Sequence, residues 1–192
     1  MDATTELSAV NGMLATIGEA PINTLSETAL VDVAVARAAI REVTRSILVE
    51  GWAFNTDEAY PLYPEAFDPY AIAVPPNALV TLPTREFDYI TVRGNRLYDL
   101  TRRSFNFQGT AVVQCKIHWS VEFADLPEVT RQFIAVRSAR LFQARTTASD
   151  ILNAFTSSDE RAALWAHQRN NVRTRRKQFL TDSWSVANIL SR

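Results

Sequence analysis

The chain has a single cysteine, two histidines and five glycines among its 192 residues, and each shortage removes a class of function. Cys115 has no cysteine with which to form an internal disulfide, and the alternating run Val113-Gln114-Cys115-Lys116-Ile117 reads as a strand with its thiol buried. With only His118 and His167, histidine-rich metal sites and Ser-His-Asp or Cys-His pairings have almost no material. His118 is expected to be a hydrogen-bonded structural side chain, and His167, on a charged helix, a solvated one. No Walker loop, G-x-G-x-x-G, C-x-x-C or G-x-S-x-G elbow occurs. The carboxylate neighbours Asp57-Glu58 and Asp159-Glu160 diverge on a strand or a helix rather than facing each other across a cleft. Catalytic residues, cofactor and metal are all expected to be absent.

Long apolar runs are also missing. Ala71 to Val74 is typical of the longest, far below the ~20 residues that span a bilayer, so no membrane association is expected. The opening Met1-Asp2-Ala3-Thr4-Thr5-Glu6 is acidic and polar where a secretory signal is basic and then apolar, so no export route is expected. A net charge of −1 and a pI of about 6.1 argue against a surface given over to nucleic-acid phosphates. A hydrophobic fraction of 47% with 21% charged residues is that of an ordinary globular chain.

What is present is helical at both ends. Leu7, Val10, Leu14 and Ile17 form one stripe over Glu6 to Ile17, capped by Thr4 or Thr5 and stopped at Gly18. A second helix over about Ala29 to Glu50 carries Val33, Ala36, Ile40, Val43 and Ile47 at spacings of three and four, and Gly51 ends it. The period then falls to two. Trp52 to Asn55, Ala59 to Leu62, Ala71 to Val74, Leu79 to Leu82 and Tyr89 to Val92 are strand candidates. Six of the eight prolines lie between Pro61 and Pro83, which predicts short, edge-like strands. Gly94-Asn95 turns a hairpin within Tyr89 to Leu100, and a last strand covers about Thr110 to Trp119. Pro127 in a first turn opens a third helix running to about Arg145. Ser157-Ser158-Asp159-Glu160 reads as a capping box opening a fourth, to about Leu180.

The expected fold is therefore α+β: a single 1–192 domain in which a four-helix bundle (6–50 and 126–180) carries a small mixed or antiparallel sheet (52–119) inserted between helices two and three, with an arm at 181–192. Leu14, Ile40, Val43, Ile47, Phe133 and Val136 are its expected core.

Two features point to partners. His167 to Lys177 is a cationic cluster containing Arg169, Arg173, Arg175, Arg176 and Lys177; it reads as a solvated helix end, or as a contact with an acidic protein or with DNA. Beyond it, Trp184, Val186, Ile189 and Leu190 are apolar without a sustained period, as suits a segment docked on its own helices or captured by another chain. The candidate contact residues are Arg173, Arg175, Arg176, Lys177, Trp184, Ile189 and Leu190, together with the hairpin tip Gly94 and Asn95.

The run Glu6-Leu7-Ser8-Ala9-Val10-Asn11-Gly12-Met13-Leu14-Ala15-Thr16-Ile17-Gly18-Glu19-Ala20-Pro21 resembles the opening of tail tubular protein A of short-tailed, podovirus-type bacteriophages. The resemblance continues through Arg45 to Asn55, ending Gly51-Trp52-Ala53-Phe54-Asn55, and through Arg93 to Asp99. It resumes at Leu126-Pro127-Glu128 and Ala139-Arg140-Leu141-Phe142-Gln143, covering about residues 6 to 150 and, less closely, the fourth helix. The chain past Leu180 departs most from the family pattern. The resemblance implies a structural virion protein: a head-to-tail adaptor ring, dodecameric, between the portal protein and the tail nozzle (tail tubular protein B). Tail fibres would dock on it and double-stranded DNA pass through its lumen. It would be found in the virion tail, and in the host cytoplasm during assembly. Two other classes are set against this one: a virion polysaccharide or cell-wall hydrolase, which would degrade host envelope polysaccharide, and a DNA-binding module, whose affinity would fall steeply with salt.

Overall fold

A computed structural model describes residues 3–26, 31–65, 70–146 and 150–182. Its elements, in chain order, are α1 (Glu6–Thr16), α2 (Val31–Val49), β1 (Thr56–Leu62), β2 (Ala78–Pro83), β3 (Ile90–Arg93), β4 (Arg96–Asp99), β5 (Val113–Trp119), α3 (Glu128–Thr146) and α4 (Asp150–Asp182). Single 3-10 turns lie at Arg85–Phe87 and Phe123–Asp125. The fold is α+β, with all the strands between the second and third helices. The chain divides into two compact units, Met1–Ile47 with Val121–Arg192, and Leu48–Ser120.

In the first unit, α1 begins with a reciprocal cap: Ser8 N–H donates to Thr5 Oγ1 at 3.0 Å and Thr5 N–H to Ser8 Oγ at 2.9 Å. Gly18, at φ 81°, takes the left-handed position after the helix end, and Glu19 N–H returns to Leu14 O. Asn11 then grips the outgoing chain, donating to Ile22 O and accepting from Ile22 N–H at 3.0 and 2.9 Å, and Ile22 is buried. Ahead of α1, the Thr4 hydroxyl and N–H donate to Glu128 at the start of α3, at 2.7 and 3.2 Å. Arg131 and Gln132 bind the same carboxylate. These contacts, the Thr4 hydroxyl foremost, hold the Glu128 carboxyl below its usual range.

The expected four-helix bundle is not borne out. α3 packs along α4 and α1 against α3, whereas α2 makes no comparably close backbone approach to another helix among the described residues. Side chains tie α2 in: Arg37 pairs with Glu6 at 3.1 Å and Arg145 with Glu42 at 2.9 Å, and Val33, Ala36, Ala39, Ile40, Val43 and Ile47 are buried. Of the expected core, Leu14, Ile40, Val43, Ile47 and Phe133 are buried and Val136 is half-buried.

α4 differs from expectation at its start, which is Asp150 rather than Ser157. The expected capping box lies inside the helix, and Arg137 and Arg140 of α3 both reach the Glu160 carboxylate.

In the second unit, β5 is the centre of an antiparallel sheet, β1-β5-β2, and β3-β4 form a separate hairpin. Leu62 pairs with Val113 and Tyr60 with Cys115 on one side of β5, Leu82 with Lys116 on the other. Leu62, Ile72, Ile90, Leu97, Phe107, Val113, Cys115 and Ile117 make one core. The Cys115 thiol is buried there, and loss of water pushes its pKa up to about 11.

Trp52 to Asn55 is a turn, not a strand. Gly51, at φ 76°, lies under the His118 ring so closely that an added Cβ would overlap it. Asn55 is buried and replaces the missing ladder: Oδ1 accepts from Trp52 N–H at 2.8 Å, and Nδ2 donates to Leu48 O and Trp119 O at 2.9 and 3.0 Å. His118 Nδ1–H donates to Val49 O at 2.9 Å, the structural role expected of it. Ala71 to Val74, stopped by Pro75 and Pro76, forms only isolated bridges, including Ala73 with Arg96. The last strand begins at Val113, three residues later than expected.

Candidate assembly surface

Among the described residues no group of three or more His, Cys, Asp or Glu side chains is placed to hold a metal ion, and no described helix is long and apolar enough to cross a membrane. A pocket of about 380 Å³ opens between α2, α3 and α4, lined by Glu42, Val43, Ser46, Arg137, Arg140, Leu141 and Glu160. Both of its arginines are committed to Glu160 and its Glu42 to Arg145, and it contains neither histidine nor cysteine. The Ser46 hydroxyl in its lining donates to Val43 O at 2.8 Å.

The surface features of α4 are more pronounced. α3 and α4 run antiparallel, as two sets of cross-links fix: Arg137 and Arg140 to Glu160, and Thr130 Oγ1 to His167 Nδ1 at 3.2 Å. His167 therefore stands opposite the first turn of α3, which starts at Glu128. α4 continues to Asp182, so roughly 20 Å of it runs past the beginning of α3 at 1.5 Å per residue. That projecting length carries the cationic cluster.

His167 itself is a correction. Instead of being solvated it is buried, stacked on Phe133 at a centroid separation of 5.3 Å and an interplanar angle of 17°. Burial lowers its pKa to about 4, so the ring is neutral at pH 7. A helix this polar still needs one inward face, and its less exposed positions, Ala163, Leu164, His167, Asn170, Asn171 and Thr174, recur at helical spacing. His167 was misread because its sequence neighbours are charged; its neighbours in space are Phe133 and Thr130.

Of the expected contact residues, Arg173 and Arg175 are exposed on α4. Arg176 and Lys177 continue the same helix, although their side chains lie outside the described residues, as do Trp184, Ile189 and Leu190 entirely. Gly94 and Asn95 form the exposed hairpin tip, Gly94 at φ 62°, and Asn95 O accepts from Val74 N–H at 2.8 Å. They lie in the other compact unit from α4. The outward face of the hairpin, overlooked in the sequence, is aromatic: Arg93 stacks at 3.8 Å over Tyr98, Phe105 meets Tyr98 edge-on, and Tyr89 and Leu100 are exposed beside each other. Also overlooked were two exposed apolar residues on α4, Trp165 and Val172, whose signal was their spacing of seven in an otherwise polar helix.

A comparison with curated proteins gives no match. The family model for tail tubular proteins matches residues 7–177, taking in every strand and reaching into every helix described above, and the chain belongs to the tail tubular protein family.

Proposed function

We propose that this phage tail protein is the ring-forming head-to-tail adaptor of a short-tailed phage, corresponding to tail tubular protein A. In that role it joins the portal protein above to the nozzle, tail tubular protein B, below, offers a docking site to tail fibres, and forms part of the conduit through which double-stranded DNA is ejected. Twelve copies make the ring. The protein acts in the virion tail, having assembled in the host cytoplasm.

The observation that carries the proposal is the part of α4 that outruns α3: a helix projecting beyond its partner and bearing arginines on exposed positions is a handle for another molecule. Arg173, Arg175, Arg176 and Lys177 meet an acidic portal surface, and Trp184, Ile189 and Leu190 anchor in a portal or inter-subunit groove. Gly94 and Asn95 contact the nozzle or the neighbouring subunit. Catalysis has no place in this assignment: in the pocket between α2, α3 and α4 both arginines are taken up by Glu160.

Negative-stain electron microscopy of the purified protein, alone and mixed with the portal protein of its phage, tests the proposal. The expected result is a twelve-membered ring seated on the portal. A protein that neither rings nor binds the portal refutes it.

A further inference from the structure

The exposed side of α4 has a composition that a solvated helix does not require. Trp165 is 74% exposed and Val172 63% exposed. Seven residues apart, they lie on one stripe two turns long, and His167, two positions from Trp165, points the opposite way, into α3. Arg161 and Arg169 stand one turn before and one turn after Trp165 on the same stripe, both exposed. Between Arg161 and Lys177 there are six cations and no carboxylate; since the whole chain carries −1 and this segment +6, the remainder carries −7. Tryptophan and arginine together, apolar at the centre and charged at the rim, are the residues that dominate binding energy at protein interfaces.

We infer that this stripe is the lateral contact between copies of the chain, with Trp165 and Val172 buried against the next copy and Arg161 and Arg169 meeting its carboxylates at the rim. The inference rests on the ring-forming function proposed above and gives that ring its interface. The charge distribution selects the partner. A +6 segment on a chain whose remainder carries −7 is complementary to the rest of a second copy rather than to itself, as a heterologous, ring-closing contact requires. An isologous pair centred on α4 would instead set α4 against α4, cation against cation. DNA would answer the positive charge but leave Trp165 and Val172 without an apolar surface, since its affinity comes from phosphate contacts. The projecting end of α4, from Arg173 onward, stays available for the portal.

The test uses the full-length protein and two variants, Trp165→Ala and Arg169→Glu, at exposed positions where circular dichroism and melting temperature should match wild type. Sedimentation velocity over a concentration series, with electron microscopy of the same samples, measures ring formation. Each variant is expected to raise the concentration needed for half-assembly by about tenfold or more, with portal binding by the unassembled subunit retained. Should one variant fold poorly, the other still decides. Rings forming at the wild-type concentration in both variants would overturn the inference, as would a loss confined to portal binding or to DNA retention with the ring intact. Wild-type protein that forms no ring, alone or with its portal, would instead refute the adaptor function and this interface with it.

Discussion

His167 makes the stability of the helical unit depend on pH in a defined direction. Its ring is buried between α3 and α4, against Phe133 and Thr130, and burial lowers its pKa from 6.5 to about 4. Because the folded value is the lower one, the unfolded chain takes up the proton first. Stability is therefore unaffected well above pH 6.5, falls as the pH drops from there towards 4, and falls no further below that on account of this residue. At 1.36 kcal/mol for each tenfold change in proton affinity, the full loss is roughly 3 kcal/mol, of which about 2.5 kcal/mol is reached at pH 4.5. That is a large share of the ~5–15 kcal/mol that holds a typical domain together. Urea denaturation of wild type and His167→Gln at pH 7 and pH 4.5 measures it. The substitution lowers stability at pH 7 through the lost stacking, but it should remove most of the difference between the two pH values. Glu128, whose carboxyl is held below its usual range, is present in both proteins, so any part of its contribution lost towards pH 4.5 cancels from the comparison. Equal pH dependence in wild type and variant, or a His167 imidazole titrating near 6.5 by NMR, would refute the reasoning.

Other outcomes follow from the β unit and the chain end. Gly51→Ala should cost more than about 2 kcal/mol in chemical denaturation, combining a left-handed backbone with overlap on His118, and a double-mutant cycle with His118→Ala should show the two coupled. Asn55→Asp should cost about 3 kcal/mol or more, because it removes both donors from Leu48 O and Trp119 O and turns a buried carboxylate towards them; a fall in urea midpoint measures it. Cys115 should resist a soluble thiol reagent in the native protein at pH 8 and react at once in denaturant, the thiol being buried and its pKa about 11. Deleting residues 181–192 should leave the melting temperature near wild type and abolish portal attachment in a pull-down; normal attachment would remove the assigned role of Trp184, Ile189 and Leu190.

Where a signal is local, the sequence was sufficient. The cap at Thr5, the left-handed Gly18, the hairpin at Gly94-Asn95 and the burial of Cys115 each depend on a few adjacent residues whose backbone preference or alternation has one satisfying outcome. The family resemblance at Glu6 to Pro21 likewise lay in contiguous residues, all but the first inside the matched span. Tertiary structure decided what depended on distant partners. Trp52 to Asn55 has the composition of a strand, but Asn55 finds Trp119 O across the sheet, and those hydrogen bonds hold a turn instead. The sequence Ser157 to Glu160 could cap a helix, but the helix runs through from Asp150, and Glu160 pairs with Arg137 and Arg140. α4 is polar all round, so its period alone could not say which side turns inward. Phe133 and Thr130 settle that by taking His167, and in doing so they turn Trp165 outward. A helix with no dominant apolar stripe has its orientation fixed by the surface it packs on, and that surface is built by residues far away in the chain.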